Sequence, residues 1–256
     1  MSVEDALRRL RAARRAVALT GAGVSTASGL PDFRSVGGLW VGVDPMTVAS
    51  RTALERDPAA FYAFYRGRLA RLDGASPNPA HRALVALERA GRLRAVLTQN
   101  VDGLHQAAGS AHVVELHGNL REAACIACGG IAPIAALIAP LDAGRLPRCE
   151  RCGGLLKPNV VLFEDPMPAD AWRRAVLEAR AADVMLVVGS SLQVTPAAYL
   201  PRETLDRGGA LVIVNREPTP YDRDAAVVIH GEADRILPAI SRGLDGREEA
   251  PSGATN

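Results

Sequence analysis

The sequence predicts an α/β protein built on a doubly wound parallel sheet. Short runs rich in valine recur along the chain without alternating with polar residues, which is typical of parallel strands covered on both faces. Helical patterns lie between several of these runs, as they do in crossover connections. A loop of small residues, 21–29, follows the first run. These three observations favour a sheet with helices on both sides.

Composition limits the class of protein. Of the 256 residues, 48% are hydrophobic and 23% are charged, as in globular proteins. The net charge is only +2, so we expect neither a membrane nor a specific nucleic acid as partner. No apolar run of about 18 residues is present, and the first residues lack the apolar segment of a signal peptide. We therefore expect a cytoplasmic monomer.

The chain is expected to begin with an amphipathic helix over residues 2–15. Ser2 can cap it, Asp5 stands at the third helical position, and Ala6, Leu7 and Leu10 share one face. The predicted strands are 16–19, 95–98, 113–116, 184–188, 210–214 and 225–229, and the predicted helices between them are 78–90, 169–182 and 196–207.

Two long stretches, 36–77 and 119–157, interrupt the alternation of strand and helix. The first contains a predicted helix over 61–72, for which Asp57 is the cap and Pro58 fits the first turn. We expect the two stretches to form a small domain together. The large domain then comprises 1–35, 78–118 and 158–245, and the polar residues 246–256 form a disordered tail.

All four cysteines lie in the second stretch, as two Cys-x-x-Cys pairs separated by 20 residues: Cys125, Cys128, Cys149 and Cys152. This spacing is typical of four thiolates around one structural Zn²⁺. A site closed by four sulfurs has no position for a reactive water, so the metal would hold the small domain folded. Redox dithiols or buried free thiols are the alternatives.

The glycine-rich loop after the first strand is a weak signal for nucleotide binding. Gly21 and Gly23 let a phosphate approach the backbone closely, and Thr26 stands where a dinucleotide fingerprint has its third glycine. Alone, this pattern does not identify a ligand.

Polar residues follow other predicted strands at the same edge of the sheet. Gln99, Asn100 and Asp102 follow the second strand and suit a carboxamide ligand, although an ordinary Asx turn would look the same. His117 follows the third strand, where it would act as a general base near neutral pH unless it is only structural. His105 is the rival base, but we place it in the packing of the next helix.

Later strands end in residues that suit ribose and phosphate oxygens, and an extended segment adds a candidate peptide site. Gly189, Ser190 and Ser191 follow one strand and Asn215 ends another. Residues 157–165 are extended because Pro158 opposes a helix. Their edge could bind a peptide by strand addition, but by the residues alone an ordinary connecting strand is favoured.

In this order, the motifs resemble the sirtuins, the NAD-dependent protein lysine deacylases. The matching segments cover roughly residues 15–235 and are the loop 21–34, residues 98–102, His117-Gly118, the four cysteines, residues 157–161, Gly189-Ser190-Ser191 and Asn215. The resemblance implies a Rossmann-like large domain, a small domain of zinc ribbon and helical insert, one structural Zn²⁺, and NAD as co-substrate in the cleft between the domains.

The resemblance also implies roles for single residues. His117 is the general base, nicotinamide lies against Asn100, Val101 and Asp102, and Gln99 is near the reacting ribose. The remaining expected NAD contacts are Gly21, Ala22, Gly23, Ser25, Thr26, Asp32, Phe33, Arg34, Trp40, Gly189, Ser190, Ser191, Asn215, Arg216, Glu217 and Ala233. An acylated-lysine protein or peptide would contact Val160, Phe163 and Glu164. The expected products are free lysine, nicotinamide and 2′-O-acyl-ADP-ribose.

The helix over 61–72 resembles that of the bacterial-type sirtuin subclass that prefers succinyl or malonyl groups. Tyr65 and Arg68 form the Tyr-x-x-Arg pair that binds the acidic acyl group there. Two departures oppose this assignment. Val36 replaces a common alanine and would narrow the pocket, and Glu164 replaces the usual glycine and could reorient the peptide.

Four alternatives remain. Plain deacetylation and mono-ADP-ribosyl transfer fit the same fold. A zinc-ribbon nucleic-acid module is opposed by the lack of a basic, aromatic-rich stretch around the cysteines. A dehydrogenase is opposed by the missing third glycine and by the position of His117.

Overall fold

The computed structural model describes residues 2–244 and confirms the parallel α/β architecture. The predicted tail, 246–256, lies outside these residues. The strands are β1 (Ala16–Thr20), β2 (Ala95–Thr98), β3 (Val113–Glu115), β4 (Gly118–Cys125), β5 (Ile131–Pro133), β6 (Leu156–Val160), β7 (Val184–Val188), β8 (Ala210–Asn215) and β9 (Val227–His230). The helices are α1 (Val3–Ala12), α2 (Pro45–Val48), α3 (Arg51–Arg56), α4 (Pro58–Asp73), α5 (Pro79–Arg89), α6 (Leu104–Ala108), α7 (Ala135–Asp142), α8 (Ala169–Ala181), α9 (Leu200–Leu205) and α10 (Ala233–Leu244).

The large sheet has six parallel strands in the order β3-β2-β1-β7-β8-β9. The chain moves outward from β1 in one direction through β2 and β3, then returns to the other side of β1 through β7. The order therefore reverses between β1 and β7, which pair in register from Ala16 with Val184 to Thr20 with Val188. Ligands of doubly wound sheets bind at such a reversal, beyond the carboxyl ends of the strands.

Each face of the sheet carries its own hydrophobic core because successive side chains of a strand point to opposite faces. Ala16 and Ala18 of β1 pack with α1, α5 and α10, whereas Val17 and Leu19 pack with α8 and α9. All five residues of β1 are buried. This two-sided burial explains the continuous apolar runs in the sequence.

The helix ends follow the expected capping chemistry. Ser2 and Asp5 form a reciprocal capping box on α1, and the Asp57 side chain accepts the backbone N–H of Ala60 to cap α4. The helix expected over 196–207 is shorter than predicted, since a 3₁₀ turn, Ala197–Tyr199, precedes α9. Among residues 2–244, no helix is both long and apolar enough to cross a membrane.

The second sheet is small and antiparallel, in the order β5-β4-β6. It shares a third core with α3, α4 and α7, in which Phe61, Tyr62 and Tyr65 are buried. Residues from both interrupting stretches contribute to this core. The predicted domain boundary at residue 158 falls inside β6, and the assignment of residues to two domains stays a prediction.

Candidate active site

A cleft of about 370 Å³ lies at the carboxyl ends of the parallel strands. One wall consists of the loops that follow β1, β2, β7 and β8, and the other of α4, the loop after β6 and residues 30–40. The cleft therefore lies at the reversal of strand order, between the large sheet and the third core.

The loops after β1 and β7 touch through glycine backbones. The Gly23 amide donates to the Gly189 carbonyl at 2.9 Å, and the Gly21 amide donates to the Val188 carbonyl at 3.1 Å. Gly189 has φ +58°, and a Cβ placed there would lie 2.4 Å from the Val24 nitrogen and 2.5 Å from the Gly23 carbonyl carbon. Only glycine permits this approach, so the wall of the cleft presents backbone.

A hydrogen-bonded cluster at Ser25 fixes the polar floor of the cleft. The Ser25 hydroxyl donates to Asp102 at 2.7 Å and accepts from the Asn100 amide at 3.1 Å. His81 Nδ1 accepts the backbone N–H of Asn78 at 3.3 Å, so its Nε2 carries the proton and points at Ser25 Oγ from 3.4 Å. Burial lowers the pKa of His81 to about 4, which keeps the ring neutral. Sequence reasoning missed His81 because it lies on α5, far along the chain from Ser25.

His117 lies directly after β3 and lines the cleft. Its Nδ1 is 3.0 Å from the carbonyl oxygen of Gln99, which can only accept, so Nδ1 carries the proton of the neutral ring. Nε2 has no partner among the described residues and keeps its lone pair. Burial lowers the pKa of His117, while the Gln99 carbonyl opposes this shift. The geometry is that of a general base.

The lowered pKa of His117 gives a pH prediction. Since the base acts in its neutral form, kcat/KM should stay constant as pH falls through 6.5, the ordinary histidine value, and decline only below it. The profile from pH 5 to 9, with tryptophan fluorescence to exclude acid unfolding, checks this. A decline that begins above pH 6.5 would contradict the assigned environment of His117.

His105, the rival base, does not reach the cleft. It is buried on α6, where its Nε2 lies 2.9 Å from the Thr20 hydroxyl and its ring centroid lies 4.9 Å from that of His81. Burial lowers its pKa to about 3. His105 therefore packs inside the large domain, as expected.

Residues 30–40 fold back over the cleft. Asp32 accepts the backbone N–H groups of Arg34 and Ser35 at 3.1 and 2.9 Å, and the Trp40 amide donates to the Phe33 carbonyl at 3.0 Å. The other Asp32 oxygen lies 3.2 Å from the Arg216 guanidinium, just beyond β8. This ion pair joins the covering segment to the opposite wall.

An aromatic cage surrounds Arg68 inside the cleft. The Arg68 guanidinium carbon lies 5.5 Å from the ring centroids of Phe33 and Tyr65 and 5.9 Å from that of Phe64. Trp40 stacks on Phe64 with 5.7 Å between centroids. Among residues 2–244, no carboxylate oxygen lies within 4 Å of Arg68, in contrast to nine other arginines. The cage therefore presents an uncompensated positive charge.

Val36 does not narrow this part of the cleft. Its side chain is fully exposed and is not among the residues that line the cleft. The expectation that Val36 restricts the pocket is wrong because residues 35–38 turn outward. The Gly38 amide donates to the Ser35 carbonyl at 2.8 Å, and Gly37 adopts φ +84°.

Glu164 occupies a backbone conformation that favours glycine, with φ +74°. Its carboxylate accepts the backbone N–H of Thr52 at 2.8 Å and the Thr52 hydroxyl at 3.1 Å, in the first turn of α3. The neighbouring Asp165 pairs with Lys157 at 3.0 Å. The far end of the segment after β6 is thus held by two contacts, that of Glu164 with α3 and that of Asp165 with Lys157 of β6.

The structure brings nearly all expected contact residues to this cleft. Thr26 is the exception among the expected NAD contacts, because its hydroxyl donates to the Gly23 carbonyl at 3.1 Å and braces the loop. The lining also includes residues that sequence reasoning missed, among them Ser35, Arg71, Asp165, Met167 and Glu232. Their assignment to ligands stays a prediction.

The four cysteines lie together at the end of the small sheet, with all Sγ atoms within 4.8 Å of one another. Cys125 Sγ and Cys152 Sγ are 3.5 Å apart, and Cys128 Sγ and Cys149 Sγ are 3.8 Å apart. Tetrahedral Zn²⁺ with bonds of about 2.3 Å places sulfurs about 3.8 Å apart. The thiols therefore fit one structural zinc ion.

Two similar turns hold the thiols. Gly129 N–H donates to the Cys125 carbonyl at 3.0 Å, and Gly153 N–H donates to the Cys149 carbonyl at 2.8 Å. Both glycines have positive φ, of 66° and 73°. A Cβ on Gly154 would lie 3.0 Å from Cys125 Sγ, so this turn also needs glycine.

Replacement of a zinc ligand should unfold the small domain, because metal binding supplies folding energy in such modules. We expect Cys128→Ser to abolish stoichiometric zinc and catalytic activity, since β4 continues directly from His117. Metal analysis measures the zinc, a steady-state assay measures the activity and a circular dichroism melt measures the folding, with Glu150→Ser, an exposed neighbour of Cys149, as the control. A variant that has lost zinc but retains full activity would refute this role.

Comparison with known proteins identifies the family. A model described as the Sir2 family matches residues 21–196. A NAD-dependent protein deacetylase of Caldivirga maquilingensis is 47% identical over 93% of this chain and 91% of its own length. NAD-dependent protein deacylase 2 of Pyrobaculum aerophilum is 44% identical over 94% of each chain.

Solved structures agree with this assignment. A structure described as Sir2 with a p53 peptide and NAD⁺ is 38% identical, with a TM-score of 0.88 over 96% of this chain and 99% of the other. The expected NAD co-substrate and structural zinc are thereby confirmed, whereas the bacterial-type, acidic-acyl subclass stays a prediction. The chain belongs to the Sir2 family, the NAD-dependent protein deacylases known as sirtuins.

Proposed function

We propose that this sirtuin transfers acyl groups from lysine side chains of proteins or peptides to ADP-ribose and releases nicotinamide. The observation that carries the proposal is the position of His117. One neutral imidazole with a free Nε2 faces the same cleft as the glycine backbones of the β1 and β7 loops. A base beside an anion-binding backbone suits proton removal from a ribose hydroxyl.

The residues of the cleft divide into three groups by chemistry. The backbone at Gly21, Ala22 and Gly23 suits a pyrophosphate, and the hydroxyls of Ser190 and Ser191 suit a ribose. Asn100 and Asp102 suit the nicotinamide carboxamide, since each Asp102 oxygen accepts from only one donor within residues 2–244 and retains a lone pair. When bound, NAD supplies the ribose carbon that loses nicotinamide and receives the acyl oxygen.

His117 is the residue that takes up the proton released in the reaction. With NAD bound, the free Nε2 would accept a proton from a ribose hydroxyl and so make the hydroxyl oxygen nucleophilic toward the acyl carbon. The Gln99 carbonyl accepts from Nδ1 throughout and stabilises the protonated ring. Because the cleft buries His117, the neutral form predominates before the reaction.

The aromatic cage supports an acidic acyl group as the preferred substrate. A half-buried cation without a counterion among the described residues favours a ligand carboxylate, and a guanidinium binds carboxylates with two parallel hydrogen bonds. Burial raises the pKa of Tyr65, so its phenol stays protonated and can donate. We propose succinyl or malonyl lysine as substrate, with acetyl lysine as the weaker one. The outward position of Val36 removes one objection to this assignment.

Arg68→Met should raise KM for a succinyl peptide about 10- to 100-fold, because the variant loses one or two charge-assisted hydrogen bonds to the carboxylate of the acyl group. The KM for the acetyl form of the same peptide should change less than threefold. Arg66→Met is the matched control, since Arg66 is exposed on the same helix and pairs with Asp142 at 2.9 Å. Equal effects of Arg68→Met on both peptides would exclude Arg68 from the acyl site.

Nicotinamide release with NAD and one peptide bearing acetyl, propionyl, malonyl, succinyl or long acyl groups tests the proposal. We expect release only when an acyl peptide is present, with the highest kcat/KM for malonyl or succinyl. No release with any peptide would refute deacylation. Stable transfer of label from NAD to protein would instead favour mono-ADP-ribosyl transfer.

A further inference from the structure

A second concave surface lies at the opposite edge of the large sheet from the catalytic cleft. It has a volume of about 590 Å³ and is lined by the residues that immediately precede β1, β2 and β3, together with the end of α5. Five arginines surround it, and we call this surface the arginine basin: Arg14, Arg15, Arg89, Arg92 and Arg94.

The positive charge of the basin is largely uncompensated. Among the described residues, Arg15 pairs with Glu178 at 2.9 Å, but the other four arginines have no carboxylate oxygen within 4 Å. Buried Arg15 Nε also lacks a hydrogen-bond partner. A chain with a net charge of only +2 thus concentrates five cations around one depression.

The nearby acidic groups are already bound to backbone. Glu88 is the one acidic residue in the basin lining, and its oxygens accept the N–H groups of Ala111 at 3.2 Å and His112 at 2.8 Å. Asp183, at the adjacent strand, accepts the backbone N–H groups of Arg14 and Arg15 at 2.7 and 3.0 Å. Apart from Arg15, which pairs with Glu178, the arginines of the basin therefore keep their guanidinium groups available for an external anion.

The lining indicates what kind of anion fits. Guanidinium groups bind phosphate oxygens in pairs. No phenylalanine, tyrosine or tryptophan is among the described residues that line the basin, so it lacks the large aromatic platforms on which successive unpaired bases stack. Its one large apolar residue, Leu93, is buried, so the basin offers nothing for insertion into a membrane. Exposed arginines around an open depression suit the phosphates of a duplex, which lie along an extended line.

We propose that the arginine basin binds the phosphate backbone of double-stranded nucleic acid without sequence preference. Strands of four or five residues separate the basin from the catalytic cleft, a distance of about 13–17 Å. A duplex in the basin would therefore leave the cleft open. If the proposed deacylation holds, bound duplex would bring the enzyme to acyl-lysine proteins on the same nucleic acid.

Fluorescence anisotropy of a labelled 20-base-pair DNA duplex at 25–200 mM NaCl tests the proposal. We expect binding that is equal for unrelated sequences and that weakens steeply with salt. The variant Arg14→Ala/Arg89→Ala/Arg92→Ala/Arg94→Ala should bind at least tenfold more weakly at 50 mM NaCl. Its plot of log K against log[salt] should lose about 3 to 4 units of slope, close to one for each phosphate contact.

The matched control removes the same charge elsewhere, by alanine at Arg145, Arg174, Arg207 and Arg223, which are exposed and carry no ion pair among the described residues. Equal weakening by both variants would overturn the proposal, as would binding to phosphatidylserine vesicles without binding to the duplex.

Deacylation of a free peptide by the basin variant should equal that of wild type, which confirms its fold. Should the quadruple variant fail to fold, Arg92→Gln with Arg94→Gln is used, and undiminished duplex binding by that pair would refute the site.

Discussion

His117→Ala should reduce kcat/KM for acyl-peptide deacylation by about 10²- to 10⁴-fold, the usual contribution of a positioned general base. The loss should appear at all pH values, because alanine carries no nitrogen that could accept a proton at the position of the free Nε2. Steady-state kinetics of nicotinamide release measures the effect. The parallel sheet and the zinc content should be unchanged, since in the described part of the chain the His117 ring makes only one hydrogen bond, to Gln99.

His112→Ala provides the control for removal of a histidine. His112 is exposed at the start of β3, on the opposite edge of the sheet, so its replacement should leave turnover within twofold of wild type. A His117→Ala variant that retains more than a tenth of wild-type kcat/KM would remove His117 from the role of general base.

Gly189→Ala should abolish detectable NAD binding and destabilise the protein by at least about 2 kcal/mol. The added Cβ would meet two backbone atoms of the Gly23-Val24 peptide at 2.4 and 2.5 Å, and backbone cannot rotate away as a side chain can. The loops after β1 and β7 must then separate, which opens the wall of the cleft. For a chain of this length, we expect a fall in Tm of about 4–8 °C.

Gly208→Ala separates backbone strain from steric overlap. Gly208 has φ +80°, yet among the described residues, its own chain neighbours aside, no atom lies within 4 Å of the point where an added Cβ would stand. Alanine there should therefore cost only about 1 kcal/mol and leave NAD affinity unchanged. Calorimetry with NAD and thermal melts compare the two variants. If both glycine substitutions have the same effect, close contact between the two loops is not what shapes the site.

The strands and the zinc site could be predicted because their signals are local. A strand buried on both faces leaves a continuous apolar run, as in β7, and each Cys-x-x-Cys pair places two thiols on one short turn, so that two such pairs indicate one four-thiol site. The polar residues after β2 and β3 could also be placed together, since parallel strands end at one edge of the sheet. For these features, each signal that predicts the structure extends over only a few residues of sequence.

Features that depend on packing between distant segments could not be predicted. Glu164 contacts Thr52 across 112 positions of sequence, so its carboxylate is fixed at α3 in a way that no local pattern indicates. Val36 is expected in the pocket by resemblance, but the turn around Gly37 points it outward. The arginine basin likewise joins three separate turns, and the net charge of the whole chain conceals it.

The fate of the acyl group tests the central claim most directly. The wild-type enzyme is incubated with NAD and a succinyl-lysine peptide, and mass spectrometry quantifies nicotinamide, free-lysine peptide and succinylated ADP-ribose during the first turnovers. We predict equal amounts of the three products, with the succinyl group on ADP-ribose. Free succinate formed without matching nicotinamide, or nicotinamide formed while the peptide stays acylated, would contradict NAD-dependent acyl transfer in this cleft.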